Sequence, residues 1–280
     1  MMGTIAVLLL IANFFISYRG FNDRRFYEKY RFRVAEILGY REYIRLISSG
    51  FLHVNWMHLI LNMLSLVFFS GPVEGFFGPI RFLVIYFASL LGGDLLSLFI
   101  HRRHGDYSSV GSSGAVSGII FASIALVPGM TIGFFFIPLP IPAWLYGLAY
   151  ILYSIYGIRS KQDNIGHESH LGGALIGMLA AIAMYPALLS ENLVTILLIG
   201  LPALAFIIMI IAKPHALFVD NLFYKKHHGD AFSVDHKYNL DKQQLQNEVD
   251  RILDKINRSG MKSLTEKEKQ VLKSYSEGKR

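Results

Sequence analysis

The stretch Gly111-Ser112-Ser113-Gly114, followed by the apolar run Ala115 to Val127, decides how the rest of the chain is read. A serine flanked by glycines at the mouth of a hydrophobic helix has two uses. Small residues let membrane helices approach closely, and a serine hydroxyl can return to its own backbone. The same serine can be a nucleophile, exposed by the glycines and set beside helix-start N–H groups able to hold an oxyanion. Four residues alone do not choose between packing and chemistry.

Composition sets the environment. The 280 residues are 53% hydrophobic and 17% charged, against about 25% charged in soluble domains. The apolar residues come in long blocks rather than helical stripes, which is the pattern of membrane spans. There is no cysteine, so disulfides, thiolate catalysis and Cys-ligated metals are excluded. The net charge of +7 belongs to loops that set topology, not to a nucleic-acid surface.

The blocks predict an all-α fold, a polytopic membrane helix bundle with a six-span core and a seventh span. Span one covers Thr4 to Tyr18 and reads as retained, because it lacks a basic start and a small-residue cleavage site. In the following loop, Phe26 to Leu38 mixes aromatic and charged residues. Both a helix in the headgroup region and a solvated loop fit it. Span two runs from Trp56 to Phe69. A turn at Gly71-Pro72 and Gly75 leads to span three, Ile80 to Phe99. Span four starts at Ser113 and ends at Pro128-Gly129. Span five, Ile132 to Tyr153, is expected to be kinked by Pro138, Pro140 and Pro142. Span six runs from His170 to Pro186 and span seven from Leu193 to Ala212.

Residues 1–213 form this membrane domain, and 214–280 a basic amphipathic helical tail outside the bilayer. Leu245, Val249, Ile252, Leu253 and Ile256 share one helical face, with Gly260 as a C-terminal cap. Thr265 and Glu268 form a capping box before Val271 and Leu272. The apolar face must dock on the membrane surface, the core or another chain.

Polar side chains inside apolar spans are costly and need a reason. His58 and Asn62 lie one turn apart on span two, Asp94 lies on span three, and His53, His167 and Glu168 stand just before spans. If the spans alternate, the starts of spans two, four and six share one face of the membrane. His58, Ser113 and His170 all lie near those starts. Span four reads Gly114-x-x-x-Gly118-x-x-x-Ala122 and span six reads Gly173-x-x-x-Gly177-x-x-x-Ala181. Matching small-residue faces would bring these helices together, and hydroxyl to imidazole with them. A metal is the competing use of His53, His58, His167 and His170. Their spacing is not that of metal-binding pairs, so no metal and no other cofactor is expected. For His53 and His167 a bridging or capping role is the simpler reading.

These residues resemble the rhomboid family of intramembrane serine proteases, over about Arg45 to Ala181. Gly111-Ser112-Ser113-Gly114 is similar to the family's G-x-S-G, His170-Leu171-Gly172-Gly173 to its sixth-span histidine motif, and His58-x-x-x-Asn62 to its H-x-x-x-N. Phe51-Leu52-His53, Gly71-x-x-Glu74 with Gly78, and Arg45 in the first loop resemble family positions too. The resemblance implies that Ser113 is the nucleophile and His170 the general base of a dyad. It implies that Asn62 and His58, with the Ser113 N–H, hold the oxyanion. The partners implied are a transmembrane protein substrate and membrane lipid, in the bacterial cell membrane. Two departures stand out. Ile44 replaces the first-loop tryptophan. Ser117 replaces a tyrosine that stacks on the histidine, a role open to Tyr153 or Tyr156.

The alternative is a non-catalytic rhomboid-like protein that binds transmembrane helices; such members usually lack the serine or the histidine, and both are here. A transporter would need inverted repeats and mid-span charges, and only Asp94 fits. Orientation divides the arguments. Arg19, Arg24, Arg25, Arg31, Arg33, Arg102, Arg103, Arg159 and Lys161 all fall in loops on the active-site face, which the positive-inside rule puts in the cytoplasm. Bacterial members of the family generally open the site to the outside.

Overall fold

The computed structural model describes residues 3–134, 137–160, 165–212, 249, 251–253, 255–256 and 263–276. The chain divides into two compact units, Met1–Phe218 and Val219–Arg280.

The first unit is a helical bundle. Helix α1 (Thr4–Asn22) has no side-chain cap of its own. Glu74 supplies one, accepting from the N–H groups of Ile5 (2.8 Å) and Ala6 (3.0 Å). A carboxylate there satisfies donors that the first helical turn leaves unpaired and faces the positive end of the helix dipole. The first loop follows as α2 (Arg24–Tyr30), β1 (Phe32–Arg33), α3 (Val34–Gly39) and α4 (Arg45–Ser48). The stretch Phe26 to Leu38 is therefore not one helix. It breaks where Phe32 and Arg33 pair antiparallel with Ser109 and Ser108 of β2 (Ser108–Ser109). Buried Arg45 ties the loop down, donating to the carbonyls of Glu28 (2.9 Å) and Arg31 (2.8 Å) and to Glu42 (2.6 Å).

Helix α5 (Trp56–His101) joins two spans. Its backbone leaves the helical region at Gly78 (φ 78°, ψ 170°), which divides it into arms 56–77 and 79–101. The turn expected at Gly71–Gly75 lies at Gly78-Pro79 instead, and the first arm continues through Pro72. Glycine adopts a positive φ without steric cost, and a proline next to it starts the second arm with its φ already set. The remaining elements are α6 (Ser113–Leu126), strands β3 (Thr131–Phe134) and β4 (Ile137–Pro142), α7 (Ala143–Ser160), α8 (His167–Met184), α9 (Ala187–Glu191) and α10 (Leu193–Ala212). The first half of the expected fifth span is thus an antiparallel β-ribbon rather than a kinked helix. Pro138, Pro140 and Pro142 lack N–H donors and push their predecessors into extended backbone. The ribbon's register shifts between Ile132 and Phe134, where β4 carries Pro138 and Pro140.

Hydrogen bonds near the helix ends fix the directions of α1, α5, α6, α8 and α10. At one end of the bundle lie the start of α1 with Glu74, and Asn192 Nδ2 donating to the Ala125 carbonyl (2.9 Å). At the other end Ser17 donates to the Phe51 carbonyl (2.8 Å), Asp94 meets Ser49 and Ser169, and His101 meets Glu168. The helices therefore alternate. The starts of α5, α6 and α8 share one end.

Helix α6 lies at the centre, with every residue from Gly114 to Ala125 buried. Glycines make this possible. Gly173 backs onto the Gly114 carbonyl, Gly177 onto the backbone of Gly118, and Gly118 onto Ser89. A Cβ at any of the three would meet those atoms well inside van der Waals contact. In lipid such close packing supplies the association energy that water would otherwise provide. Among the described residues, α1, α5 and α10 are long and apolar enough to cross a membrane by length and composition, while α6 and α7 are shorter apolar helices.

In the second unit, α11 (Glu266–Ser276) starts on the expected capping box. The Glu268 N–H donates to Thr265 Oγ1 (3.3 Å) and the Thr265 N–H to Glu268 Oε2 (2.7 Å). Lys255 Nζ also donates to Glu268 (2.9 Å), and Val249 and Ile252 are buried. Leu245 and Gly260 lie outside the described residues.

Candidate active site

Ser113 is the first residue of α6. The residue two before it, Gly111, has φ +133° and donates its N–H to the Ser49 carbonyl (3.0 Å). A Cβ on Gly111 would stand 2.7 Å from His58 Cε1, 3.0 Å from His58 Nε2 and 3.6 Å from Ser113 Oγ. The imidazole of His58 and the hydroxyl of Ser113 thus border one small space, kept open because residue 111 has no side chain. His58 sits in the first turn of α5, where Asn55 Oδ1 accepts its N–H (2.8 Å). Asn62 is buried one turn on and donates one amide hydrogen to the His58 carbonyl (2.9 Å), which leaves a second for a ligand.

His170 lies in the first turn of α8, its N–H donating to the Gly166 carbonyl (3.1 Å). Gly173, one turn later, is the residue that touches Gly114, the neighbour of Ser113. The aromatic partner of His170 is Tyr150 of α7, stacked at 5.8 Å between ring centres and 29° between planes. The Ser117 hydroxyl donates to the Ser113 carbonyl (2.6 Å). Its single proton is then spent, so the Tyr150 hydroxyl donates to Ser117 Oγ (2.6 Å). Ser117 and Tyr150 together link the Ser113 carbonyl to the ring that stacks on His170. The expected alternatives lie elsewhere: Tyr153 meets His167 edge-on at 5.0 Å, and Tyr156 is 60% exposed. The fifth span carries several tyrosines, and only the helix start at Ala143 sets which one faces α8.

The other polar groups are scaffolding. His53 bridges α1 and α6, with Nδ1 2.8 Å from Ser17 Oγ and Nε2 3.3 Å from Ser112 Oγ. Ser17 has already given its proton to the Phe51 carbonyl, so Nδ1 of His53 carries the hydrogen and Nε2 accepts. Burial, then the neighbouring His58, hold the His53 pKa down at about 3. Glu168, expected before span six, is in the first turn of α8 and meets His101 Nε2 (3.1 Å), not His170. His101 in turn stacks on Tyr107 at 3.6 Å. Among the described residues no three His, Asp or Glu side chains gather to hold a metal ion.

The sequence pattern of the Rhomboid domain matches residues 40–187, more than half of the chain. The chain belongs to the rhomboid family. This rhomboid is 31% identical over 189 residues to "RHOMBOID-like protein 12, mitochondrial" of Arabidopsis thaliana, covering 61% of this chain and 56% of that one. It is 30% identical over 158 residues to "Rhomboid protein 1, mitochondrial" of Saccharomyces cerevisiae, covering 55% and 45%. To "Rhomboid protease AarA" of Providencia stuartii it is 30% identical over 153 residues, covering 48% and 53%. The chain spans about half the length of the curated relatives it matches. As a rhomboid it is an integral, multi-pass membrane protein. The expectation of a bacterial cell membrane is not borne out, since the first two of these relatives carry mitochondrial names. Residues 232–278 of the tail match a "Family of unknown function (DUF6576)".

Proposed function

We propose that this rhomboid is an intramembrane serine protease whose dyad is Ser113 and His170. The observation that carries the reading is the backbone contact of α6 with α8 at Gly114 and Gly173, which brings the helix starts bearing the two residues together. Tyr150, stacked on the His170 ring, supports the reading as a group able to orient the imidazole.

Chemistry follows from the groups present. His170 takes the hydroxyl proton as Ser113 Oγ attacks a peptide carbonyl of a substrate's transmembrane segment. The tetrahedral oxyanion is received by the Ser113 N–H, the free amide hydrogen of Asn62 and His58 Nε2–H, beside the gap at Gly111. His170 returns the proton to the leaving amine, and a water then splits the acyl-enzyme. A helical amide is shielded by its own hydrogen bonds, so the substrate segment must unwind where it is cut. Small and helix-breaking residues suit that position. Catalysis is assigned to residues 1–213 and none of it to the tail at 214–280.

The test is cleavage of a model transmembrane substrate in liposomes by the intact protein, Ser113→Ala and His170→Ala. Both substitutions are expected to abolish cleavage while thermal unfolding stays near that of the parent. Asn62→Ala should lower turnover by about 10²–10³-fold. Cleavage by folded Ser113→Ala at the parent rate refutes the assignment; no cleavage by the parent itself favours a helix-binding, non-catalytic rhomboid.

A further inference from the structure

Asp94 lies inside the second arm of α5, is 6% exposed, and has no part in the dyad chemistry. An ionisable side chain buried in a membrane span is expensive and calls for a reason. Its two oxygens reach different parts of the site. Oδ1 is 3.2 Å from Ser169 Oγ and Oδ2 is 3.1 Å from Ser49 Oγ. Ser169 directly precedes His170. Its hydroxyl also lies against Gly93 and Gly114, where Cβ atoms would stand 2.7 Å and 2.5 Å from it. Ser169 thus fills the junction where α5, α6 and α8 meet, against Gly114, the neighbour of Ser113, and next in sequence to His170. Ser49 carries the first loop, and its carbonyl accepts the Gly111 N–H.

Counting protons gives the state of the carboxyl group. Ser49 Oγ is 2.6 Å from the Arg45 carbonyl, which can only accept, so the single hydroxyl proton of Ser49 goes there. The hydrogen between Ser49 Oγ and Asp94 Oδ2 must then come from Asp94. The other oxygen, Oδ1, accepts from Ser169. A neutral acid satisfies both contacts and avoids a naked charge in the bundle.

We propose that Asp94, as a neutral carboxylic acid, is a positioning residue that clamps Ser169, and with it His170, to the loop that carries Gly111. The proposal rests on the dyad reading above. Asn offers the same geometry as the neutral acid: an N–H for Ser49 and a carbonyl for Ser169. Leu fills the space and offers neither.

The test compares the full-length parent with Asp94→Asn, Asp94→Leu and Ser169→Ala in the liposome cleavage assay, beside Ser113→Ala. Asp94→Asn is expected to stay within about 3-fold of the parent. Asp94→Leu should lose kcat by about 10–100-fold at unchanged KM, because geometry at the reacting atoms is lost and not substrate binding. Ser169→Ala should lose kcat in the same direction, which keeps the test alive if Asp94→Leu does not fold. A second measurement needs no activity. The infrared difference spectrum between parent and Asp94→Asn near neutral pH should show the C=O stretch of a protonated carboxylic acid. Parent-like kcat in folded Asp94→Leu or in Ser169→Ala overturns the clamp. Loss in Asp94→Asn equal to that in Asp94→Leu, or no protonated-acid band, overturns the neutral form. If Ser113→Ala cleaves as well as the parent, the dyad reading falls instead, and the infrared result still decides the state of Asp94.

Discussion

Replacing Gly173 by alanine puts the whole site to the test. The new Cβ would stand 2.7 Å from the Gly114 carbonyl carbon and 3.0 Å from its Cα, with the carbonyl oxygen closer still. The carbonyl oxygen sets the clash, and clearing it requires α6 and α8 to part by about 1 Å. No side chain can rotate to relieve this, because the opposing atoms are backbone. His170 is three residues before Gly173, and Ser113 is next to Gly114. The displacement therefore reaches the imidazole and the hydroxyl almost undiminished. A misplacement approaching 1 Å costs on the order of 10²-fold in rate. The accompanying loss of stability from overpacking is about 1–3 kcal/mol. Gly75→Ala is the control, since nothing lies within 4 Å of its Cβ on an exposed helix face. It should leave the rate alone and add up to about 1 kcal/mol of helix stability. Initial cleavage rates in liposomes and thermal unfolding in detergent separate the two effects. If Gly173→Ala is folded and cleaves at the parent rate, the contact between α6 and α8 does not set the dyad.

Two further outcomes follow from the same geometry. Tyr150→Phe keeps the ring on His170 and loses the bond to Ser117, so kcat should fall about 5-fold, the equivalent of about 1 kcal/mol; Tyr150→Leu should fall by about 10–100-fold at constant KM, and a parent-like rate in the Leu variant would rule out the stack as a positioning device. His53 binds its proton at about 3 when folded and near 6.5 when unfolded. Its contribution is fully present above pH 6.5 and is lost progressively as the pH falls toward 3, because there only the unfolded chain takes up the proton. The unfolding temperature in detergent should drop over that window, and His53→Gln should flatten the slope; an unchanged slope would mean that other groups carry it.

Much of the fold is legible in the apolar blocks. The boundaries of α10 coincide with the expected seventh span, and α6 begins on Ser113. Both follow from a long run of apolar side chains ended by proline, glycine or charge. The misreadings share a cause. Gly71-Pro72 and Gly78-Pro79 look alike in sequence, and only the return of the second arm onto α1 and α8 selects the second as the turn. The prolines at 138, 140 and 142 break a helix in any reading, but that the broken piece pairs as a ribbon depends on the strand opposite it.

The candidate site divides in the same way. Ser113, His170, His58 and Asn62 were visible because their motifs recur on alternate spans, and the Gly-x-x-x-Gly faces already specify which helices touch. Local sequence fixes such things, since a glycine stripe needs nothing else to permit close approach. Tyr150 and Ser169 were not visible in this way, and Asp94 stood out only as a carboxyl group inside a span, a candidate for tuning with no partner named. Each acts through a partner on another helix, and which tyrosine or carboxyl group faces inward depends on helix rotation, which no local pattern sets. Periodicity and composition determined the spans and the chemistry available to this protein. Tertiary packing alone decided which buried polar groups meet, because a hydrogen bond between helices exists only once both have been placed.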